Sequence, residues 1–450
     1  MTTIHARQAL VEGGWRKDMR LTVAGGRISA VATGPAQTGD ERHDVIVPAM
    51  PNLHSHAFQR AMAGLAERRH TGNDTFWSWR ELMYRLALSM NPAQVRAVAA
   101  QAYVEMLEAG FGRVGEFHYL HHDVDGRPYA DIAEMAGAVA AAAAETGLGL
   151  TLLPVFYAHS SFGGKAPNDG QRRFINSVER YAQLLEGCRR AVKPLGTGVV
   201  GIAPHSLRAV TPEELTAVCA LAPTTPIHIH IAEQMAEVEA CVAWSGRRPI
   251  EWLLDHAPVD RRWCLVHATH MTEAETTRMA ASRAVAGLCP ITEANLGDGV
   301  FNAPSFAASG GRYGVGSDSN VQIGATDELR LLEYSQRLTR QGRNVMAQPG
   351  GSTGRALYDE ALRGGAQALG VELAGLAVGG PADIVSLNTT HAAFAGAKDD
   401  ALLDAWIFNA GNGGVDCVWV NGVKQVSGGR HRKRDAVSSV FFKTMAELAA

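Results

Sequence analysis

Residues 226–233 read Pro-Ile-His-Ile-His-Ile-Ala-Glu, a short run that alternates isoleucine with histidine and closes on a carboxylate. A run of this length, β-branched and entered through a proline, reads as a strand buried on both faces. The chain repeats the arrangement. Comparable apolar runs that end in polar or histidine-bearing stretches occupy residues 45–53, 112–119, 148–156, 198–205, 226–232, 263–267, 284–289 and 313–318. Helical patterns separate them, at 92–109, 130–145, 176–191, 212–220, 249–256, 272–281 and 327–341. Eight alternations of strand and helix predict an α/β fold of the (β/α)8 barrel type, whose active sites lie at the C-terminal ends of the strands. A doubly wound open sheet is the alternative.

The two ends of the chain read differently. Residues 2–32 alternate short β-like runs with Gly-Gly turns, which predicts two or three strands, and 382–387 with 415–426 have the same character around an Asn421-Gly422 hairpin signal. The ends can complete one sheet. The expected organisation is therefore a composite β-sandwich from 1–46 and 380–432, a barrel from 47–379, and a helical tail at 433–450 behind the basic cluster at 430–434.

Composition narrows the function. With 42 Lys plus Arg against 45 Asp plus Glu, the chain lacks the basic excess that binds phosphate backbones, so no nucleic-acid partner is expected. Residues 1–10 hold no apolar core of signal-peptide length, no run of about 18 uncharged apolar residues occurs, and the six cysteines form no C-x-x-C pair. A reducing, cytoplasmic setting is expected, without a membrane partner.

The chemistry is concentrated at the strand ends. His54 and His56 stand two apart after the first run, where an extended backbone points both rings to one side. His230 and Glu233 close the fifth run, His267 the sixth and Asp318 the eighth. His228 shares the two-residue spacing with His230, and the residue nearer the C-terminal end is favoured. Any one of these alone reads as a core histidine or a helix-capping aspartate; together they suit a divalent ion such as Zn2+, with His54, His56, His230 and Asp318 as ligands.

This pattern resembles the amidohydrolase superfamily, whose barrels carry H-x-H after strand one, H-x-x-E after strand five, His after strand six and Asp after strand eight. A lysine that bridges two metals in binuclear members is missing from Gly201-Ile202-Ala203-Pro204-His205, which implies one zinc per subunit. Within the superfamily, MPNLHSHAFQRAMAG (50–64), FWSWRELMY (76–84), GEFHYLHH (115–122), APHSLRAV (203–210), HIAEQ (230–234), CPITEANLGDG (289–299) and GVGSDSN (314–320) resemble the N-formimino-L-glutamate deiminases of histidine breakdown. The resemblance implies hydrolysis of a linear amidine to N-formyl-L-glutamate and ammonia, and a homodimer.

It also implies roles. Glu233 is the expected proton shuttle to the leaving ammonia, with orientation of His230 as its bland alternative. Asp318 or His267 would serve the attacking water and the developing oxygen, in an order the sequence leaves open. Planar guanidinium groups suit the two substrate carboxylates, so Arg80 and Arg208 are the expected anchors, with Gln59, Tyr119 and His205 as further substrate contacts. Trp77 and Trp79, spaced as strand or loop neighbours, are expected to wall the pocket, and His118, His121 and His122 to be loop or supporting residues.

Three rivals compete with this reading. A nucleobase deaminase on the same barrel would share the metal set, but adenosine-type members carry a second aspartate where this chain has Ser319. An enzyme for a shorter formimino amino acid differs in pocket length alone. A noncatalytic scaffold is disfavoured by the complete ligand set.

Overall fold

The computed structural model describes residues 1–67, 76–372 and 375–449, with the backbone alone for 76–78, so the expected wall residue Trp77 lies outside the described side chains. Strands β1 (Thr2–Val11), β2 (Gly14–Ala24), β3 (Arg27–Thr33) and β4 (Glu41–Pro48) open the chain. The barrel follows with β5 (Met50–Ser55), β6 (Phe111–His118), β7 (Gly149–Phe156), β8 (Val199–Val200), β9 (Ala203–Pro204), β10 (Ile227–Ile231), β11 (Trp263–His267), β12 (Val285–Leu288) and β13 (Arg312–Val315). Strands β14 (Ile384–Leu387), β15 (Val415–Val420), β16 (Val423–Ser427) and β17 (Arg430–His431) return to the first sheet.

That sheet has the order β17-β16-β15-β14-β4-β1-β2-β3, and its two halves meet where β14 pairs antiparallel with β4. Alternating inward residues, among them Ile4, Leu21, Ile46, Ile384 and Trp419, give this sandwich-like sheet its own core. Asn421 and Gly422 both take positive φ, 48° and 72°, as the two-residue turn between β15 and β16 requires. The run expected at 45–53 divides at Ala49: β4 belongs to the end sheet and β5 starts the barrel. Ala49 N–H donates to Asp383 O at 3.0 Å, and Met50 N–H donates to Gly110 O at 3.1 Å, so the partner changes across one peptide.

The barrel strands, apart from half-buried β8 and the exposed first residue of β13, are buried on both faces, and they pair in parallel in two arcs, β5 through β9 and β10 through β13. Backbone hydrogen bonds join the arcs on both sides. Ile202 N–H donates to Pro226 O at 2.9 Å and His228 N–H to Ile202 O at 3.0 Å; opposite, Asp318 N–H donates to His54 O at 3.0 Å and His56 N–H to Asp318 O at 2.8 Å. Gly316 makes the second junction possible, since a Cβ there would meet the backbone N and O of His54 at 2.7 Å. The fourth strand position, expected as one run, is two short pieces around Gly201 and Ile202.

Helices surround the strands close to the expected positions; Pro249–His256 and Pro212–Ala220 agree residue for residue. Helix Pro92–Glu108 starts where Asn91 caps it and Pro92 fills the first turn without wasting a donor. The tail helix Arg434–Ala449 lies against it, with Arg434 donating to Glu108 Oε2 at 2.7 Å and Ser438 to Gln101 Oε1 at 3.0 Å. One segment departs from what its spacing suggests. Phe76–Ala87 is an α-helix, so Trp79 and Arg80 are helical residues and not loop neighbours; Trp79, Met83 and Leu86 follow a helical stripe that two tryptophans two apart disguise. All six cysteines are free, and no helix among the described residues is long and apolar enough to cross a membrane.

Candidate metal centre and substrate pocket

Four side chains converge at the C-terminal mouth of the barrel. Nε2 of His54 lies 3.2 Å from Nε2 of His56 and 3.1 Å from Nε2 of His230, and Oδ1 of Asp318 lies 3.5 Å from the first and 3.2 Å from the second. All four residues are buried. Alternation along β10 selects His230 over His228, which turns to the outer face and donates from Nε2 to Ala368 O at 2.7 Å.

The tautomers are fixed from behind. His56 donates Nδ1–H to Phe117 O at 2.9 Å, and His230 donates Nδ1–H to His205 O at 3.1 Å, which leaves both Nε2 atoms as lone pairs. Nδ1 of His54 is buried without a hydrogen-bond partner among the described residues, so its engagement is through Nε2. Burial pushes His54 down to about 3 and, with the neighbouring imidazoles, His230 well below the usual histidine range. For Asp318, burial works upward, but the His54 and His56 rings beside it hold it well below the carboxylate range. Neutral imidazoles facing a buried carboxylate, with lone pairs ~3 Å apart, repel one another unless a cation sits among them. The donor set fits a divalent ion.

Backbone strain aims the set. Ala232, His267 and Asp318 take positive φ of 52°, 67° and 45°, costly for residues with a Cβ and found where a strand must turn its last side chain back over the barrel. Around Asp318 a buried polar chain holds that turn. Asn52 donates to Ser317 Oγ at 2.7 Å, Ser317 Oγ donates to Asn320 Oδ1 at 2.6 Å, and Asn320 donates to Ser55 Oγ at 3.1 Å. Beneath His56, Glu116 accepts from Ala57 N at 2.6 Å and from the Tyr103 hydroxyl at 3.1 Å. Sequence reasoning passed over all of these supports, because a lone Asn, Ser or Glu within an apolar run has no periodicity.

Next to the metal set stand Glu233 and His267. His267 Nε2 is 3.7 Å from Glu233 Oε1 and 3.8 Å from Asp318 Oδ2, while its Nδ1 donates to Glu293 Oε1 at 3.2 Å. Burial lowers the ring's proton affinity, but the carboxylates of Glu233 and Glu293 overrule it and hold His267 well above the usual range. Burial raises Glu233. Two backbone N–H groups at the turn, those of Ala232 and Glu233, donate to Glu237 at 3.2 Å each and fix the direction in which Glu233 leaves the strand.

The remaining expected residues gather over this centre. A solvent-open pocket is lined by Gln59, Arg80, Tyr119, His205 and Arg208 together with His56, His230, Glu233, His267 and Asp318. Trp79, Met83, Tyr84, Tyr157, Phe174 and Leu296 line the rest of its wall, Tyr157 and Phe174 without any sequence signal beyond aromatic character. Gln59 Nε2 donates to the Tyr119 hydroxyl at 2.8 Å, which leaves its buried Oε1 with no partner among the described residues. His205 is held neutral by burial and then by Arg208. His118, His121 and His122 stand outside the cavity. His121 and His122 donate to Val155 O and Ile175 O at 2.8 Å each and tie neighbouring strand-end loops together.

Comparison with known proteins gives a consistent picture. Residues 45–424 match the amidohydrolase family, and residues 1–44 match the N-terminal domain of formimidoylglutamate deiminase HutF. The formimidoylglutamate deiminase of Pseudomonas aeruginosa is 50% identical over 454 residues, covering 100% of both chains. An amidohydrolase structure from Brucella melitensis is 60% identical, with a TM-score of 0.97 and 100% of both chains covered. An adenosine deaminase from Xanthomonas campestris with bound zinc is 20% identical at a TM-score of 0.82, covering 100% of this chain and 98% of that one, and shares the fold alone.

Proposed function

The chain belongs to the amidohydrolase family, and on that premise we propose that it hydrolyses N-formimino-L-glutamate to N-formyl-L-glutamate and ammonia, a step of L-histidine breakdown. The observation that carries this reading is full-length 50% identity to a formimidoylglutamate deiminase, joined to a pocket lined by two arginines beside four residues that could hold a metal ion.

The ligands are His54, His56, His230 and Asp318, and zinc, one per subunit, is the ion their nitrogen and oxygen donors suit best. When bound, such an ion lowers the pKa of a coordinated water toward ~7 and makes hydroxide available near neutral pH. The chain supplies the rest. The formimino carbon is electron-poor in its protonated amidine form, and Oε1 of Gln59, without a partner among the described residues, is suited to accept an N–H from that group. Arg80 and Arg208 take the two carboxylates, supported by Tyr119 and neutral His205. Asp318 and His267 serve the attacking water and the developing oxygen, and Glu233 delivers the proton to the leaving nitrogen, a task that its raised proton affinity favours.

We read the chain as an end-built sheet unit (1–46 with 380–432), a barrel unit (47–379) and a tail (433–450), working in the cytoplasm as a homodimer. The direct test is product identification. The zinc-loaded protein should convert N-formimino-L-glutamate to equal amounts of N-formyl-L-glutamate and ammonia while leaving guanine, cytosine and adenosine untouched. Ammonia release from a nucleobase in preference would replace the reading.

A further inference from the structure

Behind the pocket wall lies Arg173, buried although its side chain carries a full charge. Its guanidinium faces main-chain carbonyls: Nη1 donates to Ala87 O at 2.5 Å and to Met90 O at 2.8 Å, and Nε donates to His122 O at 2.7 Å. The first two acceptors belong to the end of helix Phe76–Ala87 and the turn after it, where carbonyls lack intrahelical partners and the helix dipole favours a cation. The main chain adds two ties, since the Arg173 carbonyl accepts from His121 N at 3.0 Å and His122 N at 3.1 Å. One residue thus joins that helix, the loop after β6 and the loop in which it stands.

Each of these segments brings part of the pocket. The helix carries Trp79, Arg80, Met83 and Tyr84, the loop after β6 carries Tyr119, and Phe174 follows Arg173 directly. The Phe174 ring centroid lies 5.1 Å from that of Tyr119 and 5.8 Å from those of Tyr84 and Tyr157. The Arg80 guanidinium in turn lies 5.4 Å from the Tyr84 centroid. A buried guanidinium is costly unless its donors are satisfied, and a planar fork spans carbonyls of two segments at fixed angles. The metal set hangs on other contacts, His56 on Phe117 O and His230 on His205 O.

We propose that Arg173 is a positioning residue for substrate recognition: it fixes the end of helix Phe76–Ala87 and so holds Arg80 where a substrate carboxylate meets it, without acting on the metal. The proposal rests on the deiminase reading, in which Arg80 takes a carboxylate.

The test compares Arg173→Met and Arg173→Lys in the metal-loaded enzyme, each alone and combined with Arg80→Ala. Methionine fills much of the space and removes every donor; lysine keeps the charge but cannot span both segments. In Arg173→Met, KM for N-formimino-L-glutamate should rise about tenfold or more, with kcat within about threefold and metal content unchanged, and Arg173→Lys should recover part of the loss. In the Arg80→Ala background, Arg173→Met should raise KM by less than about twofold further, because the group it positions is already gone. Hydrogen exchange should quicken over residues 79–90 and stay unchanged at the metal-bearing ends of β5 and β10. Should Arg173→Met fail to fold, Arg173→Lys is read by the same three criteria. In a folded, metal-holding variant, wild-type KM or wild-type exchange over 79–90 overturns the proposal, and so does an equal rise in KM with and without Arg80, which marks a general loosening of the fold. A wild type that releases no ammonia from N-formimino-L-glutamate overturns the deiminase reading instead, and exchange over 79–90 then decides the anchor alone.

Discussion

His56 donates its Nδ1–H to the backbone carbonyl of Phe117 at 2.9 Å, so the second barrel strand dictates which nitrogen the first one presents. The consequence is a set of lone pairs that only a cation reconciles. Prolonged chelation should abolish activity, and a stoichiometric divalent ion should restore it. His56→Asn should purify with substoichiometric metal and negligible turnover. Full metal content in that variant, measured by elemental analysis, would remove His56 from the ligand set.

The two arginines make a separable prediction. Hydrogen bonds to charged partners are worth about 1.5–3 kcal/mol, so Arg80→Ala and Arg208→Ala should each lower kcat/KM by about ten- to a hundredfold or more while the metal stays bound. Wild-type kcat/KM in both variants would exclude the carboxylate clamp.

Gly316 closes the barrel against His54, where a Cβ would meet the backbone at 2.7 Å. Gly316→Ala should therefore lower stability by roughly 1–3 kcal/mol and loosen the metal, since Asp318 lies two residues on. An unchanged thermal midpoint and unchanged metal retention under chelator would show that the junction has room to spare.

His228 gives the protein an acid-sensitive element away from the metal. Burial pushes it down to about 4, against an ordinary value of ~6.5, with Nδ1 lacking a partner among the described residues. Above pH ~6.5 the ring is neutral in folded and unfolded chains alike. As pH falls from there toward about 4, the unfolded chain takes up a proton that the folded ring refuses, and stability is lost, roughly 3 kcal/mol at full extent. Urea midpoints should fall less between pH 7 and pH 4.5 in His228→Asn than in the wild type; parallel falls would contradict this.

Much of the barrel was legible because a buried parallel strand writes itself as a short apolar run, and the metal residues because they end such runs. The split at Ala49 was not legible, since β4 and β5 are both apolar and only the change of partner from Asp383 to Gly110 separates them. Helix Phe76–Ala87 was hidden by two tryptophans at a spacing that mimics a strand.

The central claim is that this barrel mouth is built for a small dianionic amidine. Steady-state kinetics of the zinc-loaded protein with N-formimino-L-glutamate test it most directly, with guanine, cytosine, adenosine and N-formimino-L-aspartate in parallel. The account predicts a kcat/KM above about 10⁴ M⁻¹s⁻¹ for N-formimino-L-glutamate and the highest value of the panel. A nucleobase turned over more efficiently, or no ammonia above the uncatalysed rate, would contradict it.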